Sequence, residues 1–225
     1  MNYEILGSIA PAVEITLSRG ESLFTQSGGM SWQSEGIKME TNAKGGMLKG
    51  IGRMFSGESF FMVTYSAMTD GAKIAFAATA PGQVMPVNVN EHNGIILQKG
   101  AFLCAQEGVE LSSVFTKKFS SGLFGGEGFI LQKLTGSGMA FIEVDGDPVI
   151  KELAPGEVIK VDSGNVVAFD ASVNYEIETV KGVGNILFGG EGLFLTKLTG
   201  PGRVIMQTMS INELAGRIRA YIPSK

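Results

Sequence analysis

The chain has 225 residues, with Lys+Arg 18 against Asp+Glu 22 and a formal net charge of −4. That balance excludes the broad cationic surface by which proteins hold nucleic acid. A lone cysteine, Cys104, excludes an intrachain disulfide framework and fits a reducing compartment.

The chain opens Met1-Asn-Tyr-Glu-Ile without a basic stretch followed by an apolar one, so no signal peptide is expected. No apolar run approaches the ~18–20 residues that span a bilayer, and cytoplasmic residence is the expectation. Val13, Ile15 and Leu17 alternate with Glu14, Thr16 and Ser18, a period of two that predicts a strand with one buried face. Further on, Lys44-Gly-Gly-Met-Leu-Lys49-Gly-Ile-Gly-Arg53-Met-Phe55 is a basic, apolar, glycine-rich loop. Its cations Lys44, Lys49 and Arg53 make it a candidate for contact with headgroups or a partner. A long hairpin whose methionines fold back on the sheet explains the same residues. Gly50-Ile-Gly52 lacks the third glycine and the following helix of a dinucleotide fingerprint, and no segment matches a Walker A loop.

His92 is the only histidine, in an Asn-Glu-His-Asn-Gly stretch that reads as a solvated loop. A metal-dependent double-stranded β-helix enzyme needs two or three histidines with a carboxylate, so no metal and no cofactor are expected. Cys104 lies in an alternating apolar context and reads as a small buried hydrophobe rather than a nucleophile. Asp145-Gly146-Asp147-Pro148 reads as a hairpin turn, because the remaining oxygen ligands of a calcium loop are missing. Ile159 with Val161, and Val173, Tyr175, Ile177 and Thr179, again alternate with polar residues and predict two more strands. Ser210-Ile-Asn-Glu213 is a capping box. Ile211, Leu214, Ile218 and Tyr221 then share one face, and Glu213 and Arg217 are spaced i,i+4. An amphipathic helix is expected over 210–222, stopping before Pro223.

Self-comparison adds organisation. Leu123–Gly138 reads LFGGEGFILQKLTGSG and Leu187–Gly202 reads LFGGEGLFLTKLTGPG, identical at twelve of sixteen positions at an offset of 187 − 123 = 64. A degenerate third copy precedes them. Phe55-Ser-Gly-Glu-Ser-Phe60 matches Phe124–Phe129 at an offset of 69, and Leu17-x-x-Gly20-Glu21 matches Leu153-x-x-Gly156-Glu157 at 136. Copy two carries about ten extra residues between Gly82 and Gly100. The repeats run about 1–78, 79–142 and 143–209 within one domain of residues 1–225. Three β-units, each with one apolar face, bury those faces together in a pseudo-threefold arrangement. Glu58, Glu127 and Glu191 occupy equivalent Gly-Glu turns. They are either turn closers accepting backbone N–H bonds or a ring of carboxylates able to hold a cation.

The [FL]-x-G-E-x-[FL] element of all three copies, Gly20-Glu-Ser-Leu23 and the closing Ser210-Ile-Asn-Glu-Leu-Ala…Ile218-Arg-Ala-Tyr-Ile-Pro223 carry a resemblance. The sequence resembles the largely uncharacterised prokaryotic family related to the altered-inheritance-of-mitochondria (mitochondrial biogenesis) proteins. The resemblance implies a fold similar to the tryptophan RNA-binding attenuation protein (TRAP). That fold is all-β: three tandem TRAP-like β-sandwich repeats, double-stranded β-helix-like, in pseudo-threefold array with a short C-terminal helix. It implies no reaction and no catalytic residue, and RNA binding does not transfer to this acidic chain.

The expectation is therefore a non-enzymatic scaffold or interaction protein with protein partners or self-association. The alternatives are a small-ligand-binding β module and a peripheral membrane protein touching lipid through Lys44–Phe55.

Overall fold

The computed structural model describes residues 1–26, 28–42, 62–114, 130–179, 194–219 and 221–222. Apart from one helix and three short 3-10 turns, its elements are strands. The chain begins with β1 (Asn2–Leu6), β2 (Ala12–Leu17), β3 (Ser22–Gln26), the two-residue β4 (Trp32–Gln33), β5 (Ile37–Asn42), β6 (Met62–Ala67) and β7 (Ala72–Ala77). It continues with β8 (Gly82–Asn88), β9 (Ile95–Gln98), β10 (Phe102–Gln106), β11 (Val109–Val114), β12 (Leu131–Gly136) and β13 (Met139–Asp145). The last stretch holds β14 (Pro148–Leu153), β15 (Val158–Asp162), β16 (Val166–Asp170), β17 (Asn174–Thr179), β18 (Phe194–Thr199), β19 (Gly202–Gln207) and helix α1 (Ile211–Arg219).

These strands form four sheets, ordered β1-β2-β7-β4, β5-β6-β3-β10-β13-β8, β11-β12-β9-β16-β19-β14 and β15-β18-β17. The chain divides into two compact units, neither of them a continuous stretch. One comprises Met1–Asn88, Phe102–Val109 and Ser137–Glu143; the other comprises Val89–Ala101, Glu110–Gly136 and Val144–Lys225.

In the first unit the alternation of β2 sends Val13, Ile15 and Leu17 into a core with Ile74, Phe76 and Tyr65. Tyr65 meets Phe76 edge-on at 6.2 Å between ring centroids, a favoured quadrupole arrangement. Each large side chain buried this way contributes about 1.5–3 kcal/mol. The second unit has its own core, in which Leu153, Val166, Phe169 and Val204 pack with Val161 and Leu198. The alternating residues predicted at 159–161 fall on β15, and those predicted at 173–179 fall on β17 except Val173, which directly precedes it.

The two six-stranded sheets have the same plan. A bulge interrupts the β10–β13 ladder between Phe102 and Cys104, and another interrupts β16–β19 between Val166 and Ala168, displaced by 168 − 104 = 64 residues. The 3-10 turns Lys99–Ala101 and Ser163–Asn165 are displaced by the same 163 − 99 = 64. Two Gly-Glu turns also coincide in chemistry. Glu21 accepts from the Ser18 N–H at 2.8 Å, and Glu157 accepts from the Ala154 N–H at 2.8 Å. A carboxylate that bonds a backbone donor in this way closes the turn.

The Asp145–Pro148 segment is a turn but not a hairpin. β13 before it and β14 after it belong to different sheets, so no ladder joins them. Its backbone is held by the segment after β19 instead. Thr208 N–H donates to the Asp147 carbonyl at 3.1 Å and Met209 N–H to the Asp145 carbonyl at 3.2 Å. Gly146 has φ +71°, and an added Cβ would meet Thr208 Oγ1 at 2.6 Å, so the turn requires glycine.

Candidate functional site

The residues nominated by the sequence, Glu58, Glu127, Glu191, Lys44, Lys49 and Arg53, lie outside the described residues. The side-chain constellation that the structure does place belongs to the second unit and centres on His92. A 3-10 turn at Val89–Glu91 buries Val89 and leads directly into His92. The Gly94 carbonyl then accepts from the Ala171 N–H at 3.0 Å, which anchors the stretch beside the end of β16. Gly94 itself has φ +101°.

So placed, His92 is not a solvated loop residue. Its side chain is 13% exposed and its Nδ1 lies 3.0 Å from Asp170 Oδ1. On the other side, Arg203 Nη2 lies 2.7 Å from His92 Nε2. The second carboxylate oxygen of Asp170 accepts the Arg203 backbone N–H at 2.9 Å, which closes the cluster across neighbouring strands β16 and β19. A guanidinium only donates, so Nε2 is the acceptor and the proton of the neutral imidazole sits on Nδ1. Both ring nitrogens are occupied. Spacing gave no signal for this cluster, because its members are separated by 78 and 111 residues.

Cys104 is fully buried, and burial pushes its thiol well above the ordinary value. A neutral, enclosed thiol is a packing residue, as its alternating context predicts. Gln132 on β12 has no exposed surface, and among the described residues neither its Nε2 nor its Oε1 has a hydrogen-bond partner. On the first unit, Glu14 joins Lys73 Nζ at 2.6 Å and Trp32 Nε1 at 3.1 Å. The hydrogen bond from Lys73 holds the Glu14 carboxyl below its ordinary 4.5. Among the described residues, no three His, Cys, Asp or Glu side chains are grouped to hold a metal ion.

Helix α1 presents a different kind of surface. Asp145 Oδ2 accepts the Ile211 N–H at 3.0 Å, which satisfies one of the donors at the helix start. Leu214 is half-buried, whereas Ile211 and Ile218 are 47% and 53% exposed and Tyr221 just beyond the helix is 88% exposed. No helix among the described residues is long and apolar enough to cross a membrane.

These features define a predominantly β protein of several sheets whose polar constellation couples a loop to a sheet and whose terminal helix shows an apolar face. Residues 3–209 match the family Mitochondrial biogenesis AIM24, and the chain belongs to that family. It is similar to an uncharacterized protein of Streptococcus pyogenes serotype M6, 33% identical over 223 residues that cover 95% of this chain and 88% of the relative. It is also similar to a Streptococcus pyogenes protein of known crystal structure. That likeness has a TM-score of 0.79 and 27% identity, and it covers 98% of this chain and 99% of the other.

Proposed function

We propose that the chain is a non-enzymatic scaffold or interaction protein that acts by self-association or by holding protein partners. The observation that carries this reading is the uncovered apolar face of Ile211, Ile218, Tyr221 and Ile222. Large apolar side chains left exposed along one terminal segment mark a contact site. The same reading takes the chain as three tandem TRAP-like repeats in pseudo-threefold arrangement. The shared strand plan of the two six-stranded sheets and their bulges 64 residues apart support it. The enclosed thiol of Cys104 and the fully engaged ring of His92 fit a protein without a nucleophile–base pair.

Sedimentation velocity of the full chain, wild type beside Ile218→Glu, tests the proposal together with native co-purification. A species heavier than the monomer, or a captured partner, that the substitution removes is the expected result. Wild type that stays monomeric and captures nothing overturns it.

Gln132 favours a second reading, a module for a small polar ligand. An enclosed amide without partners among the described residues is where such a ligand would gain most from hydrogen bonding. Thermal-shift measurement against a metabolite library checks this. A rise in melting temperature that Gln132→Leu abolishes supports it, and a library without any shift removes it.

A further inference from the structure

We propose that His92 is a proton-operated switch for the side chain of Arg203. The arrangement accommodates a neutral imidazole: Nδ1–H faces Asp170 Oδ1 at 3.0 Å, and a bare Nε2 accepts from Arg203 Nη2 at 2.7 Å. A second proton has only one place to go, and that is Nε2. Once there, it sets a donor against a donor and a cation against a cation at that same short distance. The guanidinium must then leave. Asp170 keeps its hold on Nδ1 and gains a charged partner, so the ring stays while the arginine moves. Protonation of Nε2 thus converts a three-residue cluster into an Asp170–His92 pair with Arg203 released.

The surrounding charges are few and of both signs. Asp170 comes from β16 and Arg203 from β19, and Glu152 of β14 lies opposite Arg203 in the ladder. Glu91 belongs to the turn that leads into His92, and the aliphatic end of Lys133 on β12 lies against Gly94. Asp170 and Arg203 hold the ring from its two nitrogens. The backbone bond from Ala171 to Gly94 involves no titrating atom, so the loop remains anchored while the arginine switches.

The lone histidine makes the test clean. Long-range proton–nitrogen spectra of the full chain, recorded from pH 8 down to pH 5, report tautomer and titration together. The expected result is protonated Nδ1 with bare Nε2 at pH 8, and a change of the Arg203 side-chain signals that tracks protonation of Nε2. Arg203→Gln should raise the proton affinity of the ring about tenfold, and Asp170→Asn should lower it about tenfold. Arg203→Lys, which keeps the charge, should titrate near wild type. If a variant fails to give a dispersed spectrum, the wild-type tautomer and the coupling of the Arg203 signals still decide. A neutral ring protonated on Nε2, or Arg203 signals that ignore the titration, overturns the switch.

Discussion

Gln132 shows how a single side chain can oppose the fold around it. The residue sits between Leu131 and Lys133 on β12 with both amide atoms enclosed and, among the described residues, unpaired. Leaving such a group unsatisfied costs about 1–3 kcal/mol. Gln132→Leu is therefore expected to raise the midpoint of denaturant unfolding, and a lowered midpoint would show that the amide bonds to water or a ligand. Glu21 acts in the other direction. The hydrogen bond from the Ser18 N–H holds its carboxyl below 4.5, so the folded state favours the ionised form. Its stabilisation is fully present above pH 4.5, the unfolded value, and is lost as pH falls through the lower folded one. Glu21→Gln should flatten the acid limb of a stability–pH curve, and an unchanged limb would contradict the assignment. Asp145 has the opposite sign: burial raises it above 3.8, so its burden on stability is relieved on acidification. Cys104 was legible from its apolar neighbours, whereas His92 was not. Asparagine and glycine around a histidine look the same in a solvated loop as in one docked on Asp170 and Arg203.

At the level of elements, the strands that could be read in advance are those with one wet and one dry face. β2 and β17 alternate cleanly because each has a core on one side only. β4 gave no such pattern. It is two residues long and exists because Trp32 and Gln33 pair with Ala75 and Ile74 of β7, a contact that no local propensity announces. The turn before β14 was misassigned for a related reason. Turn chemistry is local and was visible in Asp145-Gly-Asp-Pro, but which sheet receives the next strand is decided by β19. Helix α1 was foreseen over 210–222 and is observed over Ile211–Arg219. Its anchor at Asp145 was not foreseen, because that carboxylate lies 66 residues upstream. Asp145→Ala should cost about 0.5–2 kcal/mol of local helix stability. Hydrogen exchange at 211–219 should then be faster while β19 remains protected; equal exchange in both proteins would show that the anchor is dispensable.

On the scale of the whole molecule, the sheets do not respect the sequence repeats. β9 comes from the middle of the chain and pairs with both β12 and β16, so the sheet that holds β16 is incomplete without residues 95–98. Residues 143–225 made alone would leave β16 without β9 and open an apolar edge. That piece is expected to be unfolded or aggregated by circular dichroism and by solubility, and a soluble fragment with a cooperative transition would refute the reading. The offset of 64 residues made this plan partly visible: it located equivalent strands without saying which sheet each one joins. The central row of the first six-stranded sheet extends the point. Ala105 of β10 stands between Phe24 of β3 and Ala140 of β13, and all three are buried. A bulkier residue at 105 must be accommodated by its buried cross-strand neighbours, since filled interiors resist added volume. Amino acids some eighty places apart along the chain, on segments that look like separate modules, should therefore change together as lineages diverge. A module of this protein cannot drift on its own.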